Sequence, residues 1–338
     1  SDVCSSDLPD NVNHTPAQLL FATGHQLAGR PSLGAWTTYG LGAENADLPA
    51  FVLLSSGTLS GISMLHGAGF LPSVYQGVPF RAGAAPIFHL DDPPGMTRAD
   101  RAATVRAINE VNAVRLADVG DPEIATRIAQ YEMAFAMQAS VPDLVDFSDE
   151  PKHVLDSYGP DIRRPGSYAY NCLLARRLSE RGVRFVQLFH MGWDHHGGVK
   201  DGVALKAQEI DRACMALITD LRRRGMLDET LVVWSGEMGR TPRVGQSVPG
   251  GAGAGRDGRD HWAKVFSCIV AGGGFRKGVV HGSSDRYAAE PSTSPVRPAD
   301  LVATLYHRLG VGGSSQINDR LGREVPLIQG EVIRQLLA

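Results

Sequence analysis

The stretch YAYNCLLARRLSERGVRFVQLFHMGWDHHGG (residues 168–198) decides the fold class. Its first half places apolar residues at helical spacing and stops at Gly182, a residue suited to ending a helix. VRFVQLFH follows, an apolar run too short for a helix and without clean alternation, which reads as a strand covered on both faces. The polar cluster MGWDHHGG begins at once. Helix, buried strand and polar cluster in that order are the unit of an open α/β sheet, whose ligands lie beyond the carboxyl ends of its strands.

The same texture extends outward. Residues 14 to 28 read as a short helix opening at Thr15–Pro16, and LPAFVLLSSG (48–57) as a buried strand ending in a loop around Ser55 and Ser56. Residues 57 to 94 are rich in Gly and Pro and promise little regular structure. From 97 to about 145 the chain is charged, rich in alanine and helical in period, a helical insertion or cap. A helix over 201–225, strands at TLVVWSG (230–236) and FSCIVAGG (266–273), and helices near 298–309 and 328–337 complete the pattern. It predicts a mainly parallel sheet with helices on both faces, in a single domain over residues 9–338.

Bulk properties exclude several classes. A net charge of −3 with interleaved signs offers no face for nucleic acid, and no apolar run is long enough to span a membrane. Four cysteines without CxxC spacing argue against a zinc knuckle or a disulfide scaffold. The first eight residues, SDVCSSDL, resemble the translation of a sequencing-library adaptor and are read as an artefactual tail, so that the true N-terminus and any signal region would be missing.

Three polar clusters follow strands or flank them. In HMGWDHHGG, Asp194 and His196 are two apart, so an extended backbone turns both to one side, where they can share an ion, and turns His195 away. The alternative is a surface hydrogen bond between them. In SGEMGRTP, Glu237 sits in a glycine-flanked turn as a ligand or general base, and Arg240 can bind an oxyanion with its planar fork; a salt bridge between the two is the plainer reading. In GRDGRDHW, His261 is the third candidate ligand, beside Asp260, in a residue pairing typical of outer-sphere support for a metal ligand. Just upstream, PGGAGAGRDG (249–258) reads as a mobile gating loop; it contains GxGxxG, but without the strand and helix that a dinucleotide site needs. Asp194, His196, His261 and Glu237 form a mixed nitrogen and oxygen donor set that suits a divalent metal, Zn²⁺ or Mn²⁺ foremost.

With those residues in view, the segments from Cys172 to Gly198, MLDETLVVWSGEMGRTP (226–242) and GRDHW (258–262), together with PSLGAWTTYGLG and GFLPSVYQGV, resemble the DUF1501 family from about Asp10 to the C-terminus. The resemblance implies an alkaline-phosphatase/sulfatase-like core with a bound metal, in a protein usually exported to the periplasm or cell envelope, and a first strand with further site residues that would be missing from this chain. Where sulfatases carry the nucleophile motif, this chain has HTPAQLLFATGH, with His14 in the nucleophile's place and Gln18 in that of an arginine. His14 is thus expected as a metal ligand, an acid/base group or a packed helix start. Where sulfatases carry S-D-H-G, Met238 replaces a histidine. The expected activity is hydrolysis of an anionic sulfate or phosphate ester, small or polysaccharide-linked, with His14, Glu237 and Arg240 as catalytic candidates. A non-catalytic, metal-containing binding protein of the envelope is the alternative.

Overall fold

The computed structural model describes residues 2–4, 13–57, 63–83, 86–87, 90–313, 315–319 and 321–338. Along the chain the strands are β1 (Asp2–Cys4), β2 (Phe51–Ser56), β3 (Val78–Phe80), β4 (Phe185–His190), β5 (Val232–Ser235), β6 (Gly239–Arg240), β7 (His261–Trp262) and β8 (Ser267–Ala271), followed by two short antiparallel pairs, Ser283–Ser284 with Pro291–Thr293 and Gln316–Asn318 with Glu324–Pro326. The helices are α1 (His14–Thr23), α2 (Leu33–Leu41), α3 (Arg98–Val119), α4 (Pro122–Val145), α5 (Lys152–Tyr158), α6 (Tyr168–Glu180), α7 (Val199–Arg223) and α8 (Pro298–Arg308). The chain divides into two compact units, residues 29–191 and residues 1–28 with 192–338.

The unit of residues 29–191 holds the parallel sheet, in the order β3-β2-β4, with β2 in register with β4 from Phe51 opposite Phe185 to Ser56 opposite His190. Its strand β2 is buried from Phe51 to Ser55, as a strand covered on both faces must be. The helices start and stop where side chains satisfy their free backbone groups. Ser32 caps α2, Ser167 caps α6, and Thr97 with Asp100 forms a reciprocal capping box on α3. Asp121 caps α4 with Pro122 at its first position, after α3 has ended on left-handed Gly120. The pair α3–α4 is the helical insertion foreseen over 97–145. Helix α6 buries two arginines. Arg176 is 1% exposed and meets Glu150 at 2.6 Å, and Arg177 meets the same Glu150 at 2.7 Å and Asp149 at 2.8 Å.

The other unit departs from the mainly parallel expectation. Its three-stranded sheet is antiparallel, in the order β1-β8-β5, and β8 pairs with β5 from Ala271 opposite Val232 to Cys268 opposite Ser235. Residues 2–4, expected to lie outside the fold, run antiparallel to β8. Strand β8 alternates exposed and buried residues, the signature of a sheet with one wet face, and its apolar composition had masked that alternation. The helix expected over 14–28 stops at Thr23 because Gly24 turns left-handed at its end. The helix expected near 328–337 is only a 3₁₀ turn at Arg334–Leu336.

In the first of these units the ring of Phe51 is held by two glycines. A Cβ on Gly34 of α2 would lie 2.6 Å from the ring, one on Gly77 would lie 2.9 Å from it, and Phe185 packs edge-on at 5.0 Å. Backbone at Gly77 is not in the left-handed region, so its constraint is one of space alone. Gly77→Ala is therefore expected to overpack this core and lower the unfolding free energy by about 1–3 kcal/mol, read as a shift in denaturant midpoint. Adding Phe51→Leu should recover part of that loss, and an unchanged midpoint for the single substitution would show that the ring has room to move.

Candidate metal centre

Every predicted site residue lies in the unit of residues 1–28 and 192–338, and local backbone rules bring them together. Strand β5 ends in a turn at Gly236, and the chain re-enters as β6, which pairs antiparallel with β7 so that Arg240 faces His261. Gly239 permits this approach, because a Cβ there would lie 1.9 Å from the Val265 carbonyl oxygen. The ladder continues where the Thr241 N–H donates to the Asp260 carbonyl at 2.9 Å. Helix α1 is fixed by its apolar side: Leu20 and Phe21 pack with Met238 against the buried pair Ala263 and Phe266. His14, the first residue of α1, thereby reaches the turn that carries Glu237. Met238, standing where a histidine was expected, is part of this apolar anchor.

At the centre lies the Asp194 carboxylate. Its Oδ1 is 2.8 Å from His196 Nε2, 3.1 Å from His261 Nε2 and 2.5 Å from an Arg240 Nη, and its Oδ2 is 3.1 Å from His14 Nε2. His196 Nε2 and His261 Nε2 face each other at 3.1 Å. His14 packs edge-on to His261, with ring centroids 4.4 Å apart. Two triads have donor atoms close enough to share an ion, His14–Asp194–His261 and His196–Asp260–His261. They have His261 in common.

The sequence expectations fall out unevenly on this geometry. Asp194, His196 and His261 converge, with His196 and Asp194 on one side as their spacing required. His195 turns away and lies against Gly202 in the first turn of α7. Glu237 meets the far nitrogen of His14, Nδ1, at 2.6 Å and belongs to neither triad. His14 stands with Asp194 and His261 in the first triad, and Glu237, read as a ligand or general base, contacts His14 in the manner of a carboxylate behind a metal-binding imidazole. Arg240 pairs with Asp194, not with Glu237. The PGGAGAGRDG segment, expected to swing freely, is tied to the centre: Gly255 N–H donates to the His196 carbonyl at 2.7 Å, and His196 Nδ1 meets the Gly253 carbonyl oxygen at 2.5 Å. The Gly253 carbonyl is the member that sequence reasoning missed, whereas Asp260 was read beside His261 as its outer support.

Charge follows from these contacts. Burial works to raise the Asp194 carboxyl, but hydrogen bonds from Arg240, His14 and His261 overcome it and hold the group well below the usual carboxylate range. Burial likewise opposes ionisation of Glu237, and the His14 contact outweighs it, leaving that carboxyl low. The Glu237 hydrogen bond raises His14 above 6.5 against the effect of its burial.

The arrangement defines a mixed α/β protein with a candidate metal centre of three imidazoles and one carboxylate. The family model described as "Protein of unknown function (DUF1501)" matches residues 3–337, and the chain belongs to that family. No curated protein and no solved structure matches it.

A raised His14 pKa carries a testable sign. Its pairing with Glu237 stabilises the metal-free protein fully below pH 6.5, the ordinary value, and this contribution is lost as pH rises through the raised folded value. An NMR titration of the metal-free chain should find the His14 midpoint above 6.5, and Glu237→Gln should bring it down. A midpoint unmoved by that substitution would mean that Glu237 does not set the charge of His14.

Proposed function

We propose that this chain is a metal-dependent hydrolase of alkaline-phosphatase/sulfatase-like architecture that acts on an anionic sulfate or phosphate ester, exported to the periplasm or envelope. The observation that carries the reading is the convergence of three imidazole Nε2 atoms on one carboxylate, with contacts of 2.8 to 3.1 Å. Donors that bind one Zn²⁺ at about 2.0–2.2 Å stand roughly 3.3 Å from one another in a tetrahedron, so these side chains have the spacing of a ligand set. Nor do two Nε2 atoms at 3.1 Å with no ion between them gain from their contact unless one carries a proton. The donors, His14, Asp194, His196 and His261, suit Zn²⁺ or Mn²⁺. Asp260 is not counted among them because its carboxylate is fully buried and taken up by backbone N–H groups.

A divalent ion held there supplies Lewis acidity and an acidified water. The protein's own residues do the remainder. Glu237 accepts from His14 Nδ1 and so keeps the Nε2 of that ring turned toward Asp194. Arg240, the one guanidinium on Asp194 and only partly exposed, is placed to exchange that carboxylate for the oxygens of an ester anion, with the same charge-assisted pairing on either side. Thr241 is no nucleophile: it is fully buried and its hydroxyl is engaged by the Gln246 carbonyl and the Asp260 N–H. In this reading the ester is attacked directly by water.

The test has two stages. Calorimetry of the chelator-stripped chain with Zn²⁺ and with Mn²⁺ should give one ion per chain. His261→Ala should weaken binding by more than the about 10–100-fold that loss of an outer support costs. With the ion supplied, p-nitrophenyl sulfate, p-nitrophenyl phosphate and a sulfated polysaccharide are then offered as substrates. Turnover that disappears in His261→Ala and shows a raised KM in Arg240→Ala supports the hydrolase. Stoichiometric metal with binding of the polysaccharide and no turnover points to the non-catalytic envelope protein, and no metal uptake at all excludes both.

A further inference from the structure

The glycine-rich segment and the metal centre meet at Asp260, which is fully buried within its unit. Its Oδ2 accepts from the backbone N–H groups of Val248 at 2.9 Å and Gly253 at 3.1 Å, and its Oδ1 accepts from the N–H of His261 at 2.9 Å. These bonds hold the carboxyl below its ordinary range although burial opposes its charge. Asp260 is itself locked in place, since its own N–H donates to Thr241 Oγ1 and its carbonyl accepts from Thr241 N–H. The same carboxylate oxygen is 3.8 Å from His196 Nδ1, too far for a hydrogen bond. Gly253 fills that gap, with its carbonyl oxygen 2.5 Å from His196 Nδ1.

A carbonyl can only accept, so the Nδ1 of His196 must carry the proton of this bond. In the neutral ring, that leaves the lone pair on Nε2, the atom that faces Asp194 and His261. We infer that Asp260 is a positioning residue for metal binding: by pinning Gly253 it selects the His196 tautomer whose Nε2 is free to ligate, while pinning His261 through its backbone. This inference rests on the metal reading above. It makes the glycine-rich segment an outer support of the centre, with backbone atoms in the role that carboxylates fill in other metal sites. Glycine is needed for so close an approach. A Cβ on Gly258 would lie 1.8 Å from the His196 carbonyl oxygen, and one on Gly251 would lie 2.6 Å from Asp260 Oδ2.

The experiment compares Zn²⁺ affinity and the His196 Nδ1–H resonance of the Zn²⁺-loaded chain in four proteins: unsubstituted, Asp260→Asn, Gly251→Ala and Arg256→Ala. Asparagine turns an amide toward N–H donors that need an acceptor, and alanine at 251 drives the loop off an intact Asp260. Both substitutions should reduce Zn²⁺ affinity by about 10–100-fold and should abolish or broaden the Nδ1–H signal, with far-UV circular dichroism retained. Arg256→Ala, an exposed change in the same segment, should do neither. If Asp260→Asn does not fold, Gly251→Ala carries the comparison. Undiminished affinity in the folded variants overturns the inference, and so does weakened affinity with the His196 signal intact, which would make Asp260 merely structural. Failure of the unsubstituted chain to bind Zn²⁺ overturns the metal reading itself, and this inference with it.

Discussion

One carboxylate organises this protein's candidate site. Asp194 is in contact with three imidazoles and a guanidinium drawn from segments that begin at residues 14, 196, 240 and 261, and only His196 is its neighbour in sequence. Without its charge, His14, His196, His261 and Arg240 would present only donors and lone pairs to one another. With it, Arg240, His14 and His261 each have a charged acceptor. Arg240, His14 and His261 in turn keep Asp194 ionised in spite of its partial burial. The carboxylate is thus the point at which three long-range closures are made, to residues 14, 240 and 261.

That backbone is shaped by glycine at the places where chains touch. Gly239 lets β6 pass against the Val265 carbonyl, and Gly258 lets the glycine-rich segment lie on the His196 carbonyl. In each case a methyl group would stand less than 2 Å from a carbonyl oxygen, closer than any side-chain adjustment can relieve. The apolar contribution is of a different kind. Phe21, Leu20 and Met238 around Phe266 and Ala263 hold α1 so that its first residue lies at the centre. A hydrophobic contact therefore positions His14, and a hydrogen bond to Glu237 orients it. Position and orientation come from different forces.

Local patterns made much of this legible. The helical spacing over residues 97–145 and 168–182 and the common side of Asp194 and His196 could be read directly, whereas the stop at Gly24, although it acts within a few residues, was passed over in a helix read to residue 28. What was not legible depends on partners distant in the chain. Composition gave β8 as a buried parallel strand, whereas its pairing with β5 is antiparallel and leaves one face wet. The burial of Arg176 could not be seen without Glu150, which lies outside its helix. Glu237 was read as a ligand because its turn resembles one, but its partner is 223 positions away.

The glycine-rich segment shows why such long-range partners mislead in one direction. Composition measures the conformational freedom of an isolated chain, and by that measure residues 249–258 are the loosest in the sequence. The same lack of side chains exposes backbone N–H and C=O groups that a buried acceptor can collect, and Asp260 collects two of those N–H groups, from Val248 at the segment's edge and from Gly253 within it. Freedom in the unfolded chain and fixation in the folded one therefore share a cause. The entropy lost in ordering such a segment is large, and it is recovered only if the bonds formed act on something beyond the loop itself. Here they act on His196 and His261, so the cost of ordering the segment is borne by the centre that the segment supports.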